Sequence, residues 1–298
     1  MSAQPVPEKI LVTGADGQLG QALVPVLRAR GYEVITPTYQ ELDLAVLDQI
    51  RDKLVALRPA WVVNCAAYTQ VDEAESEPEL ALRINRDAVG QLAQALGSYG
   101  GRLLHLSTDY VFDGHHYQPY REDDQASPLS VYGRSKWEGE ELARTYRPDT
   151  IIVRTAWLYG IAGRNFVKTM LRLACEREHL RVVDDQFGTP TCTASLSHAL
   201  ADLLDQALAG TFHYTDEGVA SWYDLAVATA EEGRRLGFPV KARRIEPVPT
   251  EAFPRPAPRP AFSLLSKAKI RSLLSFPIPH WRESLITMLR DFKRCDSC

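Results

Sequence analysis

The sequence predicts an α/β fold, a doubly wound parallel sheet followed by a smaller C-terminal lobe. Short β-branched apolar runs alternate with amphipathic helical patterns through the first half of the 298 residues. These runs are apolar at nearly every position, which is typical of strands in a parallel sheet that helices cover on both faces. Such a sheet binds ligands at the carboxyl ends of its strands, so we expect the functional residues there.

Five strands and four helices account for the first half of the chain. The predicted strands cover residues 9–13, 33–36, 61–66, 102–107 and 150–154. The predicted helices cover residues 18–30, 44–58, 79–96 and 131–146. Pro25 lies inside the first helical pattern, and the sequence leaves open whether that helix is kinked or short.

The pattern loosens after about residue 155. Helical patterns cover residues 165–177, 193–208, 222–236, 266–274 and 280–292, and short strands cover residues 180–183 and 210–214. Repeated prolines in residues 246–260 predict an extended, stiff surface segment. Trp222 and Trp281 are expected in the core. We expect a second, smaller lobe over the carboxyl edge of the sheet, with some segments returning to the first lobe.

The composition excludes several classes of function. With a net charge of −4 the chain has no broad basic surface, so we expect neither nucleic acid nor membrane as a partner. Five cysteines, mostly within apolar patterns, indicate a reducing compartment. Residues 1–7 lack the charged and apolar regions of a signal peptide, which predicts a cytoplasmic protein. Neither Cys295 with Cys298 nor His115 with His116 has the further ligands of a metal site, so no metal is expected.

Three glycines follow the first predicted strand and open the first helix. Gly14, Gly17 and Gly20 form a G-x-x-G-x-x-G pattern, in which the backbone can turn tightly and approach a pyrophosphate at the helix N-terminus. Ordinary strand-to-helix turns also use glycine, but the strand–turn–helix context favours dinucleotide binding. The sheet is therefore predicted to be of Rossmann type. Residues 1–155 would form the dinucleotide-binding domain, and residues 156–298 mainly the substrate-binding lobe.

Tyr132 and Lys136 lie four residues apart on a predicted helix, which puts both side chains on one face. A free tyrosine has a pKa of about 10, and an adjacent lysine cation would lower it and bring the proton within reach of catalysis. Two surface residues of an amphipathic helix are the alternative. Thr108 ends a predicted strand, where its hydroxyl can bond a substrate carbonyl or simply form a turn.

Together these motifs resemble the extended short-chain dehydrogenase/reductase family. The resemblance spans nearly the whole chain and depends most on the stretches VDEAESEP, STDYVFDG, RTAWLYG and DQFGTPT. It is closest to members that reduce nucleotide-linked 4-keto-6-deoxy sugars, and it implies reduction of dTDP-4-dehydro-L-rhamnose by hydride from a nicotinamide cofactor. The implied cofactor is NADP(H), with NAD(H) left open. The implied partner is the dTDP-linked sugar, and a homodimer is left open.

The resemblance also implies a role for each matching residue. The implied cofactor-binding residues are Gly14, Gly17, Gln18, Leu19, Gly20, Asp43, Ala66, Ala67, Tyr68, Tyr132 and Lys136. The implied catalytic residues are Thr108, Tyr132 and Lys136, with Tyr132 as proton donor and Lys136 holding the nicotinamide ribose and the tyrosine. Thr108, Asp109 and Trp157 would bind the substrate, with the indole against the sugar ring.

Some questions stay open at this level. No acidic residue precedes Glu41 after the second strand, where relatives often hold the adenosine ribose, so the choice between NAD and NADP is open. Arg255 and Arg259 among the prolines could bind a diphosphate or serve solubility. One alternative function is reduction of another nucleotide-linked 4-keto-6-deoxy sugar. Another is a non-catalytic NADP-binding subunit like the methionine adenosyltransferase beta subunit, although intact Thr108, Tyr132 and Lys136 favour an enzyme.

Overall fold

The computed structural model of the chain describes residues 8–296. Residues 1–7, on which the expectation about a signal peptide depends, and Cys298 of the C-terminal cysteine pair lie outside the described residues. Among the helices that the structure describes, none is long and apolar enough to cross a membrane.

A six-stranded parallel sheet forms the centre of the molecule, and three two-stranded sheets lie outside it. The strands are β1 (Lys9–Thr13), β2 (Glu33–Ile35), β3 (Trp61–Asn64), β4 (Arg102–Thr108), β5 (Ile151–Thr155), β6 (Leu158–Tyr159), β7 (His179–Val183), β8 (Phe187–Gly188), β9 (Thr191–Cys192), β10 (Gly210–His213), β11 (Ala220–Ser221) and β12 (Arg244–Val248). The central sheet has the order β10-β5-β4-β3-β1-β2, and every pair in it is parallel.

Helices cover both faces of this sheet. They are α1 (Gln18–Ala29), α2 (Leu47–Leu57), α3 (Pro78–Leu82), α4 (Ala88–Gly97), α5 (Val131–Tyr146), α6 (Phe166–Glu176), α7 (Thr193–Asp205), α8 (Trp222–Arg235), α9 (Ala268–Arg271) and α10 (Trp281–Asp296). One apolar core lies between the sheet and α1 with α7, and a second lies between the sheet and α2 with α4. The predicted fold class is confirmed: continuous apolar strands are buried from both sides.

The predicted helix over residues 79–96 is wrong in its continuity. The chain forms α3, then a π-helical turn at Arg83–Asp87, and then α4. Asn85 lies in that turn, fully buried, and its side-chain amide bonds both the backbone N–H and the carbonyl of Tyr68. A π-turn contains one more residue than a turn of α-helix, and here it brings the Asn85 amide next to the Tyr68 backbone. In contrast, α1 continues through Pro25 without interruption.

The proline-rich stretch is only partly extended surface chain. Its first residues belong to β12, which pairs in parallel with β7 and places Pro247 opposite Val182. Proline is tolerated there because the pair has only two strands, so the missing N–H breaks no further ladder. A single 3-10 turn, Thr250–Ala252, follows.

Segments from the second half of the chain complete the central sheet. β10 pairs with β5 at the edge, and α7 packs against α1. The remaining later segments surround a separate apolar core that contains Trp281. Trp222 packs against that core but is only partly buried, so it is not the fully buried core residue that the sequence predicts. The domain boundary at residue 155 stays a prediction. Because β10 and α7 return to the central sheet, the residues after 155 do not all belong to a second lobe.

A buried ion pair fixes α5 on the sheet. Ser130 caps the helix by accepting a hydrogen bond from Gly133 N (3.1 Å), which explains why α5 begins where the sequence predicts. Glu140, on the inner face of α5, accepts two hydrogen bonds from Arg154 of β5, at 2.9 Å from Nε and 2.8 Å from Nη2. Both side chains are almost completely buried. The bidentate geometry orients the helix as well as holding it.

We expect Glu140→Gln to lower the free energy of unfolding by about 3–5 kcal/mol, because it leaves the Arg154 guanidinium buried without a carboxylate. Urea unfolding measures the change. Glu141→Gln is the matched control, since Glu141 is 54% exposed and pairs with Arg144 at the surface. The free energy of unfolding of this control should fall by less than about 1 kcal/mol. Equal losses in the two variants would show that the buried pair does not stabilise the fold.

Candidate active site

The glycine turn after β1 holds the backbone against the end of β3. Gly14 has a φ of +62°, which other residues rarely adopt, and a Cβ built on it would lie 2.9 Å from the backbone of Ala66. A Cβ on Gly20 would lie 2.2 Å from the carbonyl oxygen of Gly14. Both positions need glycine, because a side chain would push the turn away from its neighbours.

The turn leads directly into the N-terminus of α1. Gly17 is the N-cap residue, and no side chain caps the first N–H groups of the helix. Gln18 accepts a hydrogen bond from Asn165 Nδ2 (3.0 Å), while Leu19 is buried in the core. An uncapped helix N-terminus beside a glycine turn attracts phosphate. These residues therefore fit the pyrophosphate of a dinucleotide.

Ala66, Ala67 and Tyr68 continue from the carboxyl end of β3, beside the turn. All three are half-buried, and the two alanines leave room for a flat group to approach the backbone. Asn85 holds the segment in place through the Tyr68 backbone, at 2.9 and 3.0 Å. The same amide donates to Ser135 Oγ of α5 (3.0 Å), so it ties this wall of the crevice to the helix.

Two carboxylates lie in the segment after β2. Glu41 accepts hydrogen bonds from the backbone N–H (2.8 Å) and the hydroxyl (3.0 Å) of Thr38, which lower its pKa. Asp43 accepts hydrogen bonds from the Tyr39 hydroxyl (2.9 Å) and from Ala45 N (2.8 Å). Asp43 thus follows β2, where the adenosine of a dinucleotide is expected. Glu41 engages both hydrogen-bond donors of Thr38.

Thr108 is the last residue of β4, and Asp109 begins the turn that follows. The Thr108 hydroxyl donates to Asp109 Oδ1 (3.0 Å) and accepts from Tyr110 N (3.2 Å). Both side chains are buried. Burial raises the pKa of Asp109 to about 6, although hydrogen bonds from Ser263 and Thr108 act in the opposite direction. A fixed hydroxyl at the carboxyl edge of the sheet can orient a substrate oxygen.

Tyr132 and Lys136 extend from α5 toward the end of β4. Tyr132 lies edge-on to Tyr110, with 5.8 Å between the ring centroids. The Lys136 Nζ atom lies deeper, 2.6 Å from the carbonyl oxygen of Leu106 and 3.4 Å from His105 Nε2. The spacing in the sequence therefore predicts the shared helix face correctly, and the crevice wall is formed by β4.

Lys136 is not among the causes that shift the pKa of Tyr132, so the expected lowering of the tyrosine pKa is wrong for this structure. The pKa of Tyr132 is raised to about 12, mainly by burial. A hydrogen bond with Thr108 acts to lower this pKa, and the charge of Asp109 acts to raise it. Burial also lowers the pKa of Lys136 to about 8. A phenol with a raised pKa keeps its proton at neutral pH, as a proton donor must.

Trp157 lies two residues after the end of β5. Its φ is +48°, which is rare for a residue with a side chain. Its indole stacks on Trp222 at 3.5 Å between centroids and 5° between planes. Trp222 Nε1 donates to Gln186 Oε1 (3.1 Å), which orients the pair. A Cβ on Gly188 would lie 2.7 Å from the Trp157 ring. One face of the indole is therefore already occupied by a second indole.

The proline-rich segment is fastened to the loop after β3. The Arg259 guanidinium binds Asp72 through both carboxylate oxygens, with Nη2 2.9 Å from Oδ2, and Ala257 N also donates to this carboxylate. Arg255 lies 3.9 Å from the same group. These contacts lower the pKa of Asp72. Arg259 thus has a protein partner, while Arg255 is 62% exposed.

Sequence reasoning missed several residues that shape this site. Beneath the crevice, Asn64 forms hydrogen bonds with Thr13 and His105, and His105 also contacts Lys136. Their signal is a polar residue within an otherwise apolar strand, which a burial pattern alone does not explain. Asn85 and Asp72 act through pairings with distant parts of the chain, and nothing in their local sequence indicates those partners.

Comparisons with known proteins find similar chains over nearly the whole length of this one. The family model described as RmlD substrate binding domain matches residues 8–294. A Streptomyces griseus protein named dTDP-4-dehydrorhamnose reductase is 45% identical over 291 residues, which are 96% of this chain and 94% of that protein. A Streptomyces niveus protein named dTDP-4-keto-6-deoxy-D-glucose reductase is 41% identical over 279 residues, covering 93% of this chain and 95% of that protein. A crystal structure of the Bacillus anthracis dTDP-4-dehydrorhamnose reductase in complex with NADP matches with a TM-score of 0.91 at 36% identity, over 96% of this chain and all of that one (100%).

The glycine turn gives a test of the cofactor site. We expect Gly20→Ala to weaken NADPH binding at least about tenfold, because the added methyl group must displace the Gly14 carbonyl and with it the phosphate site. Isothermal calorimetry measures the affinity. Gly97→Ala is the control, since its Cβ would meet Arg147 Cδ at 3.6 Å and the Tyr146 carbonyl oxygen at 3.9 Å, which are ordinary contact distances. Unchanged NADPH affinity in Gly20→Ala would mean that the cofactor binds elsewhere.

Proposed function

Because the chain belongs to the family described as RmlD substrate binding domain, we propose that it reduces dTDP-4-dehydro-L-rhamnose to dTDP-L-rhamnose with NADPH. The family resemblance implies that this reduction is the last step of dTDP-L-rhamnose synthesis. The observation that carries the proposal is the convergence of the glycine turn with Thr108, Tyr132 and Lys136 at one edge of the sheet. The 45% identity to a named reductase supports the same substrate.

The residues of the chain divide the work of carbonyl reduction. When bound, the nicotinamide supplies the hydride to the carbonyl carbon. Tyr132 gives its proton to the carbonyl oxygen, so that the ketone becomes an alcohol. The Thr108 hydroxyl turns its one proton from Asp109 to the same oxygen, and this hydrogen bond polarises the carbonyl. Lys136 holds the tyrosine and the nicotinamide ribose in position.

The substrate wall is proposed to include Asp109 and Trp157. Asp109 lies next to Thr108 and can accept a hydrogen bond from a sugar hydroxyl. Trp157 offers the sugar only the part of its indole that Trp222 does not cover, so we propose contact along the ring edge or the remaining face. Stacking against Trp222 then serves to hold the indole in the strained backbone position at which it meets the substrate.

Product identification tests the function directly. We expect NMR of a reaction with dTDP-4-dehydro-L-rhamnose and NADPH to show dTDP-L-rhamnose. Formation of a different alcohol from dTDP-4-keto-6-deoxy-D-glucose at higher kcat/KM would favour the second candidate, which the Streptomyces niveus relative supports. Binding of NADPH with no turnover of either sugar would instead favour a regulatory subunit.

The assembly and location of the protein are also proposals. We propose a cytoplasmic enzyme, which is supported by the free thiols of Cys65, Cys175, Cys192 and Cys295 among the described residues. We propose a homodimer, in which the groove between α1 and α10, lined by Gln21, Ala22 and Thr287, would face the second copy. Sedimentation velocity of the full chain distinguishes a dimer from a monomer.

We expect Tyr132→Phe to lower turnover at least about 100-fold while leaving NADPH affinity nearly unchanged. The variant loses one hydroxyl and keeps the ring that packs against Tyr110, so the fold should not change. Stopped assays of sugar reduction and calorimetry with NADPH measure the two effects. Near wild-type turnover would show that another group gives the proton.

We expect the enzyme to use both cofactors, with kcat/KM about tenfold higher for NADPH than for NADH. Thr38 and Tyr39 offer hydrogen-bond donors after β2, but Glu41 competes for those of Thr38 and Asp43 for that of Tyr39, so the preference stays modest. Glu41→Gln removes a charge that repels a 2′-phosphate and should widen the preference. A preference for NADH of tenfold or more in the wild type would contradict this, and would place Glu41 or Asp43 on the ribose.

A further inference from the structure

A chain of buried side chains runs beneath the crevice from β1 to α5. Thr13 Oγ1 donates to Asn64 Oδ1 at 2.6 Å, and Asn64 Nδ2 lies 3.0 Å from His105 Nδ1. On the other side of the ring, His105 Nε2 lies 3.4 Å from Lys136 Nζ. All four side chains are buried. The proposed reaction uses only Lys136, so the other three require a separate explanation.

The distances assign the donors in this chain. A contact of 2.6 Å is typical of O–H···O and is short for N–H···O, so the Asn64 carbonyl faces Thr13 and its NH2 group faces His105. His105 Nδ1 must then accept, which leaves the ring proton on Nε2, directed at Lys136. An ammonium group has donors only, so Nε2–H can share a hydrogen bond only with the neutral amine. In this direction each side chain donates toward Lys136.

The same four side chains also support the opposite direction. If Lys136 is an ammonium, it donates to a bare Nε2, and the ring proton moves to Nδ1. Rotation of the Asn64 amide then presents its oxygen to Nδ1–H and its NH2 group to Thr13 Oγ1. A hydroxyl, an amide and a neutral imidazole each hold a donor and an acceptor, so every contact along the chain pairs one donor with one acceptor in either direction. The two directions correspond to the two protonation states of Lys136.

We propose that Asn64 and His105 are positioning residues for Lys136 and form a reversible hydrogen-bond chain whose direction follows the protonation of that lysine and extends to Thr13, beside the glycine turn. This rests on the proposed role of Lys136 in the reduction. The chain keeps the lysine head in place both as ammonium and as amine. It also connects the lysine to Thr13, which accepts from Ala66 N (3.4 Å) at the cofactor wall.

The charges around the chain are consistent with a reversal near neutral pH. Burial, helped by the nearby Lys136 and Arg144 charges, holds the pKa of His105 well below its usual value, so the ring stays neutral in both directions. Burial lowers the pKa of Lys136 to about 8, while Glu140 on the same helix and Cys65 after β3 act to raise it. Tyr132, one turn earlier, keeps its proton throughout this range. Lys136 is therefore the group that titrates.

Nitrogen NMR of histidine-labelled wild-type protein tests the proposal without any substrate. His105→Gln identifies the His105 signals among those of the seven histidines. We expect a neutral His105 ring protonated on Nδ1 below about pH 8 and on Nε2 above it, the change following the titration of Lys136. A single tautomer from about pH 6 to about pH 10, or a charged imidazolium, would overturn the proposal.

A variant that cannot reverse the chain provides the second measurement. Asn64→Asp only accepts, so it should hold the ring proton on Nδ1 at every pH and abolish the tautomer change. It should also raise the pKa of Lys136, so that the fall of kcat at alkaline pH, where Lys136 loses its proton, occurs at least about one pH unit higher. The added charge alone contributes to that shift, and the double variant Asn64→Asp/His105→Gln measures this part. Equal shifts in the single and double variants would overturn the role of His105.

The outcomes separate this proposal from the proposed reaction. The tautomer titration needs no turnover, so it decides the direction of the chain even if the wild type reduces neither sugar. If Asn64→Asp does not fold, the wild-type titration alone decides. Reduction of the keto sugar together with a fixed tautomer would leave the proposed function intact and reject the reversible chain.

Discussion

The ion pair between Glu140 and Arg154 is the interaction on which the site depends. Tyr132, Lys136 and Glu140 are spaced by four residues on α5, so the residue that anchors the helix shares a face with the two that face the crevice. A buried pair of this kind adds little net stability compared with apolar packing, but its geometry is strict. A helix that could slide or rotate on an apolar surface is thereby fixed in one register, with the phenol beside Thr108.

The opposite wall is built by close packing of backbone instead of by charge. Gly14 and Gly20 allow the turn, the end of β3 and the start of α1 to meet at distances that exclude any side chain. The π-turn carrying Asn85 then connects that wall to α5 through Ser135. The crevice therefore has one side made of strand ends and one made of a helix held by an ion pair.

Much of this architecture could be predicted from local sequence. The bounds of α5 follow from its helical pattern, and the strands follow from continuous apolar runs; the structure adds the Ser130 cap that begins the helix. The π-turn could not be predicted, because it depends on Asn85 meeting a backbone segment that precedes it by 17 residues. The stacking of Trp157 on Trp222 and the His105 contact likewise join distant residues. The pKa of Tyr132 was misjudged because spacing shows proximity to Lys136 but not the burial that dominates the shift.

The return of β10 to the sheet has a consequence for how this architecture can be modified. A fragment that ended at residue 155 would leave β5 as an open edge and would uncover the face of α1 on which α7 packs. Exposed edges of this kind recruit other chains and aggregate. The parts of the chain before and after residue 155 are therefore not interchangeable modules: a later part grafted from another protein would have to bring its own edge strand and covering helix. Diversification of sugar specificity is accordingly easier by substitution along the crevice than by exchange of whole lobes.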